Sequence, residues 1–174
     1  MGLLVVAYPN LKEEDYNRIQ QFRKKHDELY YSIIEPHFTI VFPVFDSYEN
    51  EFINEIEEKS KDIKKFNFTI RCATINKDAF SEYYHIFLVP DEGYSHIVKL
   101  HDVLYSELLF KNLRLDIDFI PHIGIGNSKN KYTCKKLADQ WNSVDFSISG
   151  SITKLTAIEY SNNRIKKLHT FKLQ

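Results

Sequence analysis

Pro36-His37-Phe38-Thr39-Ile40 and Pro121-His122-Ile123-Gly124-Ile125 are two copies of one short pattern. Each copy is an apolar, strand-like run with a histidine at a position where an aliphatic residue would pack equally well. One copy lies in each half of the chain, so each half is expected to contribute one histidine. Two imidazoles brought together can act as a general acid and a general base near neutral pH. The pair is therefore the first candidate for chemistry.

The alternation of a strand divides the first copy into an accessible face and a hidden face. Residues i and i+2 of a strand share one face. His37 and Thr39 are therefore expected to point the same way, whereas Phe38 and Ile40 enter a core. A hydroxyl two residues from such a histidine can donate a hydrogen bond to a phosphate oxygen.

The second copy repeats this division without the hydroxyl. His122, Gly124 and Gly126 are predicted to share one face, with Ile123 and Ile125 on the other. If the two strands lie near each other, both histidines line one groove. A single histidine in a strand is usually a structural residue, so it is the repetition in both halves that favours a functional pair.

Composition and charge limit the class of protein. The chain has 174 residues, of which 43% are hydrophobic and 14% aromatic, which predicts a well-packed globular protein. The formal net charge of −1 gives no overall basic field, so a nucleic-acid substrate is expected to be short, an RNA end, or held by a local patch. The two cysteines are expected to be free thiols in a reducing cytoplasm. The N-terminus resembles neither a signal peptide nor a membrane span, so we expect a cytoplasmic protein that does not bind membranes. A monomer is expected as well.

Strand and helix patterns alternate along the chain. The predicted elements are strand 3–8, helix 13–27, strand 36–44, a helix capped by Ser47, strand 66–75, strand 83–89, helix 97–110, strand 119–125, helix 135–141, and two or three antiparallel strands within 146–173. Hairpins are frequent and no glycine-rich strand-to-helix loop occurs, which favours an α+β fold with mostly antiparallel sheets. Because no Pro-, Gly- or Ser-rich linker divides the chain, residues 1–174 are expected to form a single domain.

The two motifs resemble those of the two-histidine (2H) phosphoesterase superfamily, above all its 2′-5′ RNA ligase-like (LigT-like) group, whose hallmark is a pair of His-x-Thr/Ser motifs. The resemblance rests on PHFTIVFP at 36–43 and FIPHIGIG at 119–126. It implies a bilobal fold with pseudo-twofold symmetry, in which two antiparallel sheets with flanking helices surround a central cleft. It also implies metal-independent hydrolysis of 2′,3′-cyclic phosphodiesters, or related transfer at 2′-5′ linkages of RNA ends, with His37 and His122 catalytic and Thr39 substrate-binding.

One position departs from the pattern of this group. Gly124 stands where threonine or serine is usual, so the second motif lacks its phosphate-binding hydroxyl. Three replacements are considered: the side chain of Asn127, the side chain of Ser128, or the N–H of Gly124 itself, which would make Gly124 substrate-binding through its backbone. Losing one such donor costs about 10²–10³-fold in rate at comparable sites. The change therefore weakens the interpretation as an enzyme, or indicates a different substrate.

The predicted mechanism needs the two histidines in opposite protonation states. A neutral one takes a proton from the water that attacks phosphorus, and a protonated one donates to the leaving ribose oxygen; the sequence leaves open which is which. The expected partner is a nucleotide or RNA terminus. One alternative is a non-catalytic module that binds such an end in the same cleft. Another is a structural or interaction protein in which the histidines are incidental.

Other residues give weaker signals. No metal-binding spacing occurs, so no metal and no cofactor are predicted. Basic residues near the second motif form a phosphate-steering rim or, more often, a solvated surface: Lys111, Arg114, Lys129, Lys131, Lys135 and Lys136. Arg71 is a further candidate for the cleft. Candidates for stacking a base are Tyr31, Tyr84, Tyr160 and Phe42.

Overall fold

Two antiparallel sheets and four α-helices make up the fold in the computed structural model, which describes all 174 residues. The strands are β1 (Gly2–Ala7), β2 (Asn10–Leu11), β3 (Phe38–Val44), β4 (Phe66–Lys77), β5 (Tyr84–Glu92), β6 (Ile123–Ser128), β7 (Ile148–Ile152), β8 (Lys154–Ser161) and β9 (Arg164–Lys172). The helices are α1 (Glu13–His26), α2 (Glu49–Ser60), α3 (Tyr94–Leu104) and α4 (Lys131–Asn142), with a 3-10 helix at Glu107–Asn112.

The strands form one sheet of order β3-β1-β8-β9 and another of order β2-β7-β4-β5-β6. Every neighbouring pair is antiparallel. Helices α1 and α4 pack on the second sheet, and α3 packs on β3. The predicted α+β class, with two antiparallel sheets and flanking helices, is confirmed. No helix has the length and apolar character needed to cross a bilayer.

The two histidine motifs lead into equivalent strands. Strand β3 is at the edge of its sheet and pairs only with β1, and β6 is at the edge of the other sheet and pairs only with β5. Each strand follows a Pro-His pair, which suits an edge because proline donates no ladder hydrogen bond. Edge positions leave one side of each motif strand open for interactions outside the sheet.

The predicted alternation of the motif strands is confirmed on their hidden faces. Phe38 and Ile40 of β3, and Ile123 and Ile125 of β6, are each 0% exposed. They belong to one hydrophobic cluster that includes residues of both sheets and all four helices. Burying aliphatic and aromatic side chains of this size contributes about 1.5–3 kcal/mol each. The buried residues therefore hold both strands in place, and with them the motif residues on the opposite face.

Two buried side chains, His101 of α3 and Tyr105 immediately after that helix, cover the open edge of β3. Nδ1 of His101 lies 2.8 Å from the carbonyl oxygen of Ile40, to which it donates. The N–H of Phe42 donates to the hydroxyl of Tyr105 at 2.9 Å. His101 thus satisfies an edge strand that would otherwise leave backbone groups unpaired, and it has a structural role.

Several element boundaries differ from the prediction. Strand β6 begins at Ile123 rather than at 119, and β3 begins at Phe38 rather than at 36, so each motif histidine immediately precedes its strand. The predicted helix 97–110 ends at Leu104 and a 3-10 turn follows. Ser47 does not cap α2, because Tyr48 holds the N-cap position.

Helix α4 begins earlier than the predicted 135. Asn130 Oδ1 accepts from the N–H groups of Tyr132 and Thr133. An asparagine cap of this kind satisfies N–H groups that the first turn leaves unpaired. The helix therefore starts at Lys131, close behind the end of β6.

Candidate active site

A cavity of about 420 Å³ lies between the two sheets. Both motifs line it, with His37 and Thr39 on one side and His122 and Gly124 on the other. The volume falls within the range of roughly 300–1,000 Å³ that small-molecule sites occupy. The structure thus brings together all four residues that the sequence singled out.

The two histidines are held in the same way. Nδ1 of His37 donates to the carbonyl oxygen of Glu35 at 2.8 Å, and Nδ1 of His122 donates to that of Ile120 at 2.5 Å. In each case the acceptor lies two residues upstream in the segment that enters the strand. A carbonyl can only accept, so the proton of each neutral ring is on Nδ1. Nε2 is left as a lone-pair acceptor, or as a donor once the ring is protonated.

Both imidazoles are half-buried, and their environment opposes a positive charge. Burial lowers the pKa of His37 to about 4, although its hydrogen bond to Glu35 acts the other way. Burial likewise lowers the pKa of His122 to about 4; the hydrogen bond to Ile120 opposes this, and the charges of His37 and His85 lower the pKa further. The two rings therefore resist being charged together.

The remaining motif positions differ in what they present to the cavity. Thr39 is half-buried and carries the hydroxyl that the first motif predicts. Gly124 offers no side chain, and a Cβ built there would meet no atom within 4 Å. Its φ is not positive either, so nothing in the backbone requires glycine. Space for a side chain exists at Gly124, and the chain leaves it unfilled.

A β-bulge changes the predicted face of β6. Gly126 pairs with Ile86 and Gly124 with Phe87, so Ile125 is an extra residue between them. A Cβ on Gly126 would lie 3.1 Å from the backbone oxygen of His26, against α1. The prediction that Gly126 presents its side-chain direction to the same face as Gly124 was therefore wrong.

Asn127 takes the cavity-facing position beyond the bulge. It lies opposite His85 in the register, and both side chains line the cavity. Its Nδ2 donates to Asp27 at 2.6 Å, while its Oδ1 is buried without a partner. Because the amide nitrogen, the only donor of this side chain, is hydrogen-bonded to Asp27, Asn127 is a poor replacement for the missing hydroxyl.

Ser128 is also a poor replacement. It does not line the cavity, and its hydroxyl accepts from the N–H of Asn130. Of the three replacements considered for the missing hydroxyl, the N–H of Gly124 stays a prediction.

A buried ion pair forms another part of the cavity wall. Arg23 and Asp27, one helical turn apart at the end of α1, are 2% and 5% exposed and lie 2.9 Å apart. Arg23 also donates to the carbonyl oxygen of Ile34, and Asp27 accepts from Asn127. The pair thus connects α1 to the segment before β3 and to β6, which carry the two motifs.

Aromatic rings that the motifs did not reveal also line the cavity. Phe87 of β5 stacks on His122, with ring centroids 3.4 Å apart and an interplanar angle of 16°. Tyr30 and Phe80, both exposed, line the cavity too. Strand alternation with a paired neighbour is the signal that would have found Phe87, since it lies directly opposite Gly124.

Some sequence candidates lie away from the cavity. Arg71 is paired with Asp91 and Glu92 on the surface, so its predicted reach into the cleft was wrong. Tyr31 and Tyr84 do not line the cavity, whereas Tyr160 and Phe42 do.

The basic residues near the second motif form a surface rather than a rim of the cavity. None of the six lines it. Four of them are paired with carboxylates instead: Lys111 with Asp46, Arg114 with Asp116, Lys129 with Glu82, and Lys135 with Asp139. No cluster of three or more His, Cys, Asp or Glu side chains has the arrangement to hold a metal ion.

The sequence model of the 2′-5′ RNA ligase superfamily matches residues 11–164, so the chain belongs to that superfamily. No curated protein sequence matches it. Among solved structures, the protein TT0787 of Thermus thermophilus is similar at 13% identity and a TM-score of 0.64, over 99% of this chain and 98% of that one.

Two further neighbours have the same fold. Escherichia coli LigT without ligand is 17% identical with a TM-score of 0.58, over 99% of this chain and 96% of LigT. Usb1 of Kluyveromyces marxianus is 7% identical with a TM-score of 0.56, over 98% and 97% of the two chains. Likeness at this level of identity shows the fold alone.

Proposed function

We propose that this protein is a phosphoesterase that cleaves 2′,3′-cyclic or 2′-5′ phosphodiesters of nucleotides or RNA ends without a metal. The observation that carries the proposal is the matched pair of His37 and His122. Each ring has Nδ1 tied to a backbone carbonyl, and each leaves Nε2 free at the same cavity. Fixing the tautomer in this way prepares a base and an acid without further rearrangement.

The mutual repulsion of the two charged rings favours the state that the mechanism needs, in which one ring is neutral and the other is protonated. Because the charge on His37 lowers the pKa of His122, a single proton shared by the pair is favoured over two. One ring is then neutral and takes a proton from the attacking water. The other ring is protonated and gives its proton to the leaving ribose oxygen. Each transfer typically contributes about 10²–10⁴-fold to the rate.

The substrate itself supports the protonated state. Each histidine has a pKa of about 4 in the free protein, well below its usual value. A phosphate group brings negative charge to the pair, and an opposite charge within a few ångströms favours the charged imidazole. Thr39 donates its hydroxyl to a non-bridging oxygen and orients phosphorus between the two rings.

The nucleotide class of substrate is supported by the solved relatives. Crystals of Escherichia coli LigT contain 3′-AMP, NADP+, ATP or phosphate. The cavity of this chain is of a size for one nucleotide unit. Exposed aromatic rings at the cavity, Tyr30 and Phe80, offer surfaces on which a base can stack.

A second function, binding of a nucleotide or RNA end without turnover, is favoured by one observation. The second motif lacks its hydroxyl at Gly124, and neither Asn127 nor Ser128 replaces it. Losing one preorganised donor lowers a rate far more than it lowers ground-state affinity. A protein that only senses nucleotides would keep the cavity and the histidines.

The deciding experiment is turnover of a 2′,3′-cyclic mononucleotide in EDTA, followed by the phosphorus resonance of the product. Opening to one monophosphate isomer, abolished by His37→Ala or by His122→Ala, would support the phosphoesterase. The isomer formed identifies which ribose oxygen leaves. The matched control is His169→Ala, because His169 is an exposed residue of β9 outside the cavity.

The same experiment separates the two functions. If the nucleotide binds and shifts the titration of either histidine but is not turned over, the protein is a binding module and not a phosphoesterase. Neither turnover nor binding of cyclic or 2′-5′-linked ligands would contradict both.

A further inference from the structure

A third histidine faces the cavity outside the two motifs. His85 of β5 is 9% exposed and lines the cavity together with Asp78. Its Nε2 donates to Asp78 Oδ2 at 3.0 Å, which leaves Nδ1 as the nitrogen available to a ligand. The N–H groups of Phe80 and Ser81 donate to the other oxygen of Asp78. The Nε2 side of the ring is thus held by the carboxylate of Asp78, which is itself held by two backbone N–H groups.

The strand register places His85 next to the incomplete second motif. Phe87 lies opposite Gly124, and His85 lies opposite Asn127, one bulge further along the same pair of strands. The rings of His85 and Phe87 are nearly parallel at 6.0 Å, and Phe87 in turn stacks on His122. His85 is close enough for its charge to lower the pKa of His122, after burial and the charge of His37.

The wall formed by β5 and β6 has few other donors. Phe87 and Gly124 carry no polar side-chain group, and the amide nitrogen of Asn127 is turned toward Asp27. A phosphate group between His37 and His122 would receive the Thr39 hydroxyl from the first motif and no hydroxyl from the second. The opposing wall therefore needs a donor of another kind, and His85 has the position and the free nitrogen.

We propose that His85, held by Asp78, binds the phosphate group of the substrate from the side of the second motif, in place of the hydroxyl absent at Gly124. A ring that donates through Nε2 to a carboxylate donates through Nδ1 only as the imidazolium. It therefore supplies a positive charge as well as a hydrogen bond, which suits an anionic oxygen. This assignment rests on the proposed function, and it makes His85 a substrate-binding residue of the same site.

The test compares four proteins: the wild type, His85→Gln, Gly124→Thr and the double variant. The probe is adenosine 3′-monophosphate, with adenosine as the ligand that lacks phosphate, and affinity is measured by calorimetry on the full chain. His85→Gln is expected to weaken binding of the monophosphate by about 10- to 100-fold, the usual range for a hydrogen bond to a charged group. The affinity for adenosine is expected to stay unchanged. Gly124→Thr in the His85→Gln background is expected to recover most of that loss, whereas in the wild-type background it adds little.

Two further variants keep the result independent of folding. Asp78→Asn keeps an acceptor for the N–H groups of Phe80 and Ser81 but removes the negative charge beside His85. Like His85→Gln, it is expected to lower the affinity for the monophosphate. His169→Gln is the surface control. Thermal melts of each variant establish that it is folded before affinity is compared.

The outcomes separate this proposal from the proposed function. Unchanged affinity for the monophosphate in folded His85→Gln, or an equal gain from Gly124→Thr in both backgrounds, overturns the role of His85. A parallel loss of adenosine binding also overturns it, because that loss would show a structural role. Absence of turnover in the wild type contradicts the phosphoesterase alone, since the binding comparison does not depend on chemistry.

Discussion

His37 and His122 make the same hydrogen bond, each from Nδ1 to the backbone carbonyl two residues before it, at Glu35 and at Ile120. The shared arrangement follows from the shared Pro-His entry into an edge strand. Both rings line one cavity with Nε2 free of the backbone, although the strands that follow them belong to different sheets. The repeat in the sequence is thus a repeat in geometry.

Replacing either histidine should remove turnover while leaving the fold intact. We expect His37→Gln and His122→Gln each to lower kcat by about 10²–10⁴-fold, because each removes one proton transfer. The double variant should be little slower than the slower single variant, since a base without its acid partner contributes little. Rates for cyclic-nucleotide opening, with His169→Gln as control, check this. Full activity in either single variant would remove that histidine from the mechanism.

The stability of the protein should fall on acidification through the titration of the same pair. Both pKa values are lowered from 6.5 to about 4 in the folded state. Between these values the unfolded chain binds protons that the folded chain refuses, so the free energy of unfolding decreases as the pH drops. The decrease begins near pH 6.5 and stops once the folded state is also protonated, near pH 4.

Urea unfolding at pH 7 and pH 5 measures this effect. The variant His37→Gln/His122→Gln should lose less stability between the two pH values than the wild type. His26 and His101, whose pKa values burial also lowers, are present in both proteins and therefore cancel. An equal loss in both proteins would show that the motif histidines titrate normally.

Thr39→Val should lower kcat/KM by about 10²–10³-fold, because it removes the hydroxyl donor with almost no change in shape. Thr39→Ser restores the donor and should retain most of the activity. Thermal melts of both variants should match the wild type, since valine and serine are tolerated at a half-buried strand position. A Thr39→Val enzyme as fast as Thr39→Ser would show that the hydroxyl does not contact the reacting phosphate.

Two glycines of β6 should respond in opposite ways to the same substitution. Gly124→Thr places its Cβ in open space and puts a β-branched residue in a strand, so it should raise the free energy of unfolding by about 0.5 kcal/mol. Gly126→Thr places its Cβ 3.1 Å from the backbone oxygen of His26 and 3.2 Å from Ile86. It should lower stability by about 1–3 kcal/mol, the usual cost of overpacking. Equal effects would contradict the bulge that separates the two positions.

The ion pair of Arg23 and Asp27 should be the most sensitive polar feature of the site. Asp27→Ala leaves the Arg23 guanidinium buried without its carboxylate and removes the acceptor of Asn127. We expect a loss of about 3–5 kcal/mol in the free energy of unfolding. Asp139→Ala, which breaks an exposed pair with Lys135, is the matched control and should cost about 0.3–0.5 kcal/mol. Similar losses for the two would show that water reaches Arg23.

Local patterns in the sequence determined the class of fold and the two motifs. Residues such as Phe38, Ile40, Ile123 and Ile125 alternate with polar or small residues, and a period of two specifies which side is buried wherever one face of a strand meets a core. Because that rule acts within a few residues, the hidden faces were predictable from it. The candidate histidines followed from the repeated motif, and the hydroxyl missing at Gly124 from the resemblance to the His-x-Thr/Ser pattern.

Only the tertiary structure decided what stands around the motifs. The bulge at Ile125 depends on pairing with β5; it turned the side-chain direction of Gly126 toward α1 and gave Asn127 a position facing the cavity. His85, Phe87 and Arg23 reach the site from elements distant in sequence, and no local period reports a contact between such elements. The lowered pKa values of the motif histidines likewise arise from burial between two sheets, which exists only once the sheets have packed.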